Sequence, residues 1–299
     1  MPFTRRKKLW LALALALAAS PAEAQKPFPA ATRAAIEDAL GRKGTPNPGG
    51  VVKFGFPRVD LQVVLSGVTL KPALALGSWV AFQRISDHAM VMGDLVMLSS
   101  EVESVMASLQ QNGVEQTALH NHLLGESPRV MYMHIRAIGN PARIARAIRT
   151  ALEFTATPLA PPTAPVATSI DLDTVAVARA LRASGKSNGG VYQVSIPRHE
   201  KILDEKHEIA PSMGVATAIN FQPTGAGKAA ITGDFVLLGR EINPVLLALS
   251  QSGIQVTAIH SHMVDETPHL FFMHFWANDD AVKLARAVRA ALDLTGSKR

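Results

Sequence analysis

Residues 50–155 of this chain recur as residues 190–295, at an offset of 140 that holds apart from a small local shift near residues 74–84. Phe56-Pro57-Arg58 lies over Ile196-Pro197-Arg198, Gly93-Asp94 over Gly233-Asp234, and Asn112-Gly113 over Ser252-Gly253. A period of this length is a domain, not a solenoid unit. The chain is therefore expected to fold as two copies of one module. Amphipathic segments at 31–42 and 171–184 extend the repeat backwards. The stretch 156–170, rich in proline and without periodicity, reads as a linker. The expected domains are 31–155 and 171–295.

Each copy has the same pattern of elements. A helix leads into a strand at 51–56 or 191–196. An apolar strand begins near Gly77 or Gly214, and a third covers 89–98 or 229–238. Ser100-x-x-Glu103 reads as a capping box that opens a helix closed by Gly113. Its partner, 241–252, is closed by Gly253. A hairpin then joins 115–122 to 129–138, and 255–262 to 269–277. Asn140-Pro141 caps a last helix that runs to about Phe154. Asn278 or Asp279 takes the capping place in the second copy, whose helix ends near Leu294. Adjacent antiparallel strands with irregularly interspersed helices predict an α+β fold, each repeat an antiparallel-rich sheet with packed helices.

The first 24 residues read as a secretory signal peptide. Arg5, Arg6, Lys7 and Lys8 precede an apolar run from Leu9 to Ala19, and Ala22-Glu23-Ala24 offers a cut after Ala24. The expected location is the periplasm or the medium. No further apolar run is long enough to span a bilayer, so no transmembrane segment is expected in the mature chain. The chain has no cysteine, which excludes disulfides, thiolate ligands and a lipid-modified cysteine. Removing the signal leaves 26 basic and 23 acidic residues. Nothing in that balance, and no basic stripe interleaved with aromatics, points to nucleic acid.

Chemistry concentrates in one doubled motif, His-x-His-x3-Glu-x7-His. It comprises His120, His122, Glu126 and His134 in the first copy, and His260, His262, Glu266 and His274 in the second. Six of the ten histidines belong to it. Two histidines one residue apart on a strand share a face. Imidazoles with a carboxylate and no thiolate suit a divalent transition metal such as zinc, and can leave a coordination position open. Glu126 and Glu266 are candidate ligands or general bases. The hairpin register decides the third histidine. If 122 pairs with 130, His134 shares the face of His120; if 122 pairs with 129, it points away. The competing structural reading is a buried polar network that ties the hairpins together. Asp94 and Asp234 are expected to orient a histidine or to shape a turn, next to glycines that suggest a bulge or a close backbone approach. Arg58 and Arg198 read as surface ion pairs or as contacts to an acidic substrate. Asn220, Gln222 and His269 stand out as features of the second copy alone. His88, His199 and His207 read as surface residues.

The segments 213–222, 231–237, His260-Ser261-His262 and 272–277 resemble the LppY/LpqO family of bacterial exported proteins. The first copy resembles it through Leu76-Gly77-Ser78-Trp79, 92–96 and 118–122. The resemblance covers nearly all of the mature chain and implies a duplicated domain of unknown function and an exported location. The chain departs from the lipoproteins of that family in lacking the lipid-bearing cysteine. The His-x-His-x3-Glu spacing is also similar to the first metal motif of cupins, but the helix before the strand and the missing second motif argue against a cupin fold.

The expected function is that of an exported metal-dependent hydrolase with duplicated His/Glu sites, acting on a small-molecule or saccharide ligand. The alternatives are a non-catalytic periplasmic metal- or ligand-binding protein and a structural envelope protein. The oligomeric state is left open.

Overall fold

The structure, a computed structural model, describes residues 26–160 and 169–298. The expected signal peptide and residues 161–168 of the linker lie outside the described residues. In the first repeat, β1 (Thr45–Asn47), β2 (Val51–Pro57), β3 (Gly77–Ile85), β4 (His88–Leu98), β5 (Glu115–His120) and β6 (Val130–Gly139) form one sheet in the order β1-β2-β3-β4-β6-β5. In the second, β7 (Lys186–Asn188), β8 (Val191–Pro197), β9 (Ala216–Gly225), β10 (Lys228–Leu238), β11 (Gln255–His260) and β12 (Leu270–Asp280) repeat it as β7-β8-β9-β10-β12-β11. Every neighbouring pair is antiparallel. The molecule is two tandem α+β units.

Odd-numbered and even-numbered side chains of the central strands serve different cores. In β4 and β6, Val91, Leu95, Met97, Met133 and Ile135 face the helices. These are α1 (Ala30–Leu40), α2 (Val102–Gln111) and α3 (Pro141–Leu152). Helix α3 presents Ile144, Ala145, Ile148, Ala151 and Leu152, the spacing of one apolar stripe. In the second repeat, α4 (Thr174–Leu181), α5 (Ile242–Gln251) and α6 (Ala281–Leu292) cover Phe235, Met273 and Phe275 in the same way. The other face of each sheet packs against the other repeat. Met90 and Met92 join Val236 and Phe272 in one shared core, and Val96 and Tyr132 join Ala230 and Trp276 in another. The layers run helices, sheet, sheet, helices.

Polar groups lock the two sheets together. Gln222 accepts from the Lys71 amide at 2.8 Å and donates to Thr69 O at 2.8 Å. Gln83 donates to Glu208 O at 2.6 Å and accepts from the Ala210 amide at 2.9 Å. Val80 pairs with Gly93 and Ile219 with Gly233, so Gln83 and Gln222 occupy equivalent positions. Gln222 is thus not peculiar to the second copy; the local shift in the repeat hides its counterpart. Asn220 also spans the repeats, donating to Leu74 O at 3.1 Å. Arg136 of β6 holds Asp204 at 2.6 Å.

Three local expectations are corrected. The helix after β4 opens with a 3-10 turn, Ser99–Glu101, and Glu101, not Glu103, accepts from the Leu98 amide at 2.7 Å. In the second repeat β12 continues through Asp280, so Asp280, not Asn278 or Asp279, caps α6 by accepting from the Lys283 amide at 2.7 Å. Arg58 and Arg198 are buried, not surface, groups. Arg58 binds Glu101 at 2.7 Å, Asp60 at 2.8 Å and Val96 O at 3.0 Å, and Arg198 repeats the arrangement with Glu241, Glu200 and Val236 O. Each ties the end of β2 or β8 to the start of the helix after the third long strand. Asn140 caps α3 as its sequence implies, accepting from the Arg143 amide at 3.0 Å.

Candidate metal centre

The order β4-β6-β5 puts three sequence-distant segments side by side. His134 of β6 lies opposite Asp94 of β4 and Ala118 of β5, and Tyr132 lies opposite His120. Continued past the strand end, this register sets 122 against 130. Of the two registers the sequence allows, it is the one that puts His134 on the face of His120. The second repeat matches it, with His274 opposite Asp234 and Ala258, and Phe272 opposite His260. Gly93 and Gly233 are the reason β4 and β10 run unbroken here. A Cβ on Gly93 would lie 2.8 Å from Trp79 O, and one on Gly233 2.0 Å from Ala218 O. The close approach expected of these glycines is present.

All these histidines lie on even-numbered positions, the faces that meet between the repeats. The two motifs therefore form one cluster instead of two separate sites. His120 meets His260 at a tilt with ring centres 3.6 Å apart, and His122 stacks on His274 at 3.7 Å and His134 on His262 at 3.6 Å. The pairing follows a pseudo-twofold axis through the His120–His260 contact. Donor atoms of His120, His122, His260, His262 and His274 lie within 4.8 Å of one another, as do those of Asp94, His122 and His134. The cluster is walled by Tyr132, stacked on His122 at 3.5 Å, and Phe272, stacked on His262 at 3.6 Å. Thr257 of the second repeat donates to His122 O at 2.6 Å, fixing the turn of the first.

Burial controls the charge state. It lowers His120 to about 3, with repulsion from His260 adding to the effect, and His260 to about 4. Burial, reinforced by neighbouring imidazoles, holds His122, His134, His262 and His274 well below the ordinary range. All six are thus neutral, with a lone pair to offer, at neutral pH. Burial pushes Asp94 up to about 8, against a pull from Lys53, and drives Asp234 well up, helped by Asp94. Asp94 stands 3.8 Å from His134 and Asp234 3.8 Å from His274, beyond hydrogen-bonding reach.

The tautomer of His274 is fixed by geometry. Its Nδ1 lies 3.1 Å from Gly233 O, which can only accept, so Nδ1 carries the proton and Nε2 carries the lone pair. That Nε2 is buried without a partner. So are His134 Nε2, His262 Nε2, both nitrogens of His260, and the Oδ1 atoms of Asp94 and Asp234. A buried polar atom left unpaired costs about 1–3 kcal/mol. Seven such atoms gathered between the sheets suit bound cations.

Glu126 and Glu266 occupy a different place. Glu126 accepts from the Val130 amide at 3.3 Å and from Asn121 at 3.4 Å; Glu266 accepts from the Leu270 amide at 2.7 Å and from His269 at 2.8 Å. Both brace the turn that follows the His-x-His pair through Oε1, Oε2 of each is buried without a partner, and neither residue is in the groups of converging donors. The carboxylates that face the imidazoles are Asp94 and Asp234, which the sequence marks only through the Gly-Asp pairs matched across the repeat. His88, His199 and His207 are exposed, and exposed His269 contacts Ser261 at 3.2 Å. None of the six clustered histidines lines either of two surface hollows, one at Leu246 and Gln255 and the other at Phe28 and His88. No helix among the described residues is long and apolar enough to cross a membrane.

A search of curated proteins finds no match. Among solved structures, a trimeric bacterial microcompartment shell protein PduB is matched at 12% identity over 84% of this chain and 92% of that one, with a TM-score of 0.20. A likeness that weak supports no statement about fold or assembly. A family model matches the chain twice, over residues 34–154 and 175–294, the two halves that supply the histidine cluster. The chain therefore belongs to the family described as Domain of Unknown Function (DUF1259), of which it carries two copies.

Proposed function

We propose that the protein binds a divalent transition metal at a single centre shared by its two repeats, with His120, His122, His134, His260, His262, His274, Asp94 and Asp234 as the donor pool. The observation that carries this reading is the gathering between the sheets of buried, unpartnered nitrogens of His134, His260, His262 and His274 and oxygens of Asp94 and Asp234, beside His120 and His122, whose Nε2 atoms lie 2.9 Å apart. An imidazole-rich set without thiolate favours zinc, with copper and iron as competitors. In this reading Glu126 and Glu266 support the turns that carry the ligands. His134, His262 and His274 are buried and His120, His122 and His260 half-buried between the two sheets, which favours retention of the ion over turnover of a substrate, so binding is the preferred reading and hydrolysis of a small-molecule or saccharide ligand the second. Kinship with the LppY/LpqO proteins, and export to the periplasm or medium by the first 24 residues, belong to the same proposal.

Elemental analysis of protein purified without a histidine tag tests it. Zinc or another transition metal above background, lost in the His120→Ala plus His260→Ala double variant, supports the reading. No metal after loading, together with unchanged thermal stability on adding zinc, refutes it and leaves the structural polar network.

A further inference from the structure

The geometry points to a two-ion centre, one ion per repeat-derived half-site, and this rests on the metal-binding reading above. The pseudo-twofold axis relates two like sets of donors, which touch where His122 of the first comes within 4.8 Å of His262 and His274 of the second. In one half, Asp94, His122 and His134 bring one atom each to within 4.8 Å of the others. In the other, Asp234 stands 3.8 Å from His274 Nε2 and 4.0 Å from His262 Nδ1. Each half has its own carboxyl group, and within each half the carboxyl and a histidine lie on paired strands, Asp94 opposite His134 and Asp234 opposite His274. His120 and His260 meet on the axis, so each can add a donor to one half without breaking the symmetry.

Two considerations favour two ions over one. Eight side chains exceed what one zinc accepts, since four ligands is the usual number and five the expanded one. A single ion on the axis would also leave unpaired atoms in at least one half, because Oδ1 of both Asp94 and Asp234 and Nε2 of both His134 and His274 are buried without partners. Side-chain exposure is 8% for His134, 10% for Asp94, 3% for His274 and 20% for Asp234, and the four atoms themselves are buried, so water does not relieve them. One dication in each half gives every one of these atoms a partner.

The test uses the untagged full mature chain, stripped with chelator, titrated with zinc and analysed for bound metal after gel filtration. Two ions per chain are expected at saturation. Asp94→Asn and Asp234→Asn are each expected to retain one, and the double variant none. Copper loading gives a second readout: a dipolar-coupled pair signal by electron paramagnetic resonance in the parent, replaced by an isolated-ion spectrum in either single variant. Saturation at one ion per chain in the parent overturns the two-ion centre and leaves the metal-binding reading intact. Two ions retained in either single variant also overturns it. No bound ion in the parent overturns both.

Discussion

Replacing Asp94 by asparagine keeps the shape of the side chain and removes its acid, so it isolates the charge the fold has to bury. In the metal-free protein burial raises this carboxyl from its ordinary 3.8 to about 8. The folded chain thus keeps a proton that the unfolded chain has already lost, and the contribution of Asp94 to the parent's stability falls as pH rises through that interval. Asparagine has no such proton to keep. Between pH 5 and pH 8 the variant should therefore gain about 4 kcal/mol relative to the parent, at 1.36 kcal/mol for each pH unit. That figure is a ceiling, and half of it is still readable. Any fixed penalty for a buried amide, about 1–3 kcal/mol, cancels in the comparison across pH. Urea unfolding of both proteins in chelator at the two pH values measures it. With zinc present the order should reverse, because the parent gains a charged ligand and the variant does not. A stability difference that stays flat from pH 5 to pH 8 would show that Asp94 is not held as a buried acid, and the electrostatic account of the centre would fail.

Other perturbations probe the frame around the centre. The six imidazoles, all lowered, take up protons only on unfolding, while Asp94 and Asp234, both raised, release theirs only on unfolding. Metal-free stability should rise with pH up to about 6.5, where free histidine titrates, then decline towards pH 8, and zinc should remove the decline; a thermal scan series reads this. Arg58→Met leaves Glu101 buried without its partner and should cost about 3–5 kcal/mol in urea unfolding, whereas a loss under 1 kcal/mol would mean that the ion pair is not formed in solution. Gly233→Ala places a Cβ 2.0 Å from Ala218 O, against 2.8 Å from Trp79 O for Gly93→Ala, so the Gly233 variant should melt at the lower temperature and lose more zinc.

The repeat, the strand order within each hairpin and the histidine motif are all legible in the residues, because period and spacing are local. The register of β5 on β6 is not. Register is read from one apolar face and one polar face, and residues 131–135 are covered on both sides, by helices on one and by the other repeat on the other. The same double burial hides the docking of the repeats. An offset of 140 says that there are two modules and nothing about which faces meet. Proximity in sequence also picks out a different carboxylate from the one paired with His134. Glu126 lies four residues after His122 but turns back to the Val130 amide, whereas Asp94, 40 residues before His134, is its strand partner. The arginines mislead for a related reason: Arg58 meets Asp60 locally, but its burial comes from Glu101 and Val96, 43 and 38 residues away.

The central claim is that two copies of one domain close on a common metal centre. Crystals of zinc-loaded protein, measured on both sides of the zinc absorption edge, test it most directly. Anomalous density is predicted between the sheets, bounded by imidazoles of both repeats and by Asp94 and Asp234. Density confined to exposed residues such as His199 or His207, or none at all, would contradict it.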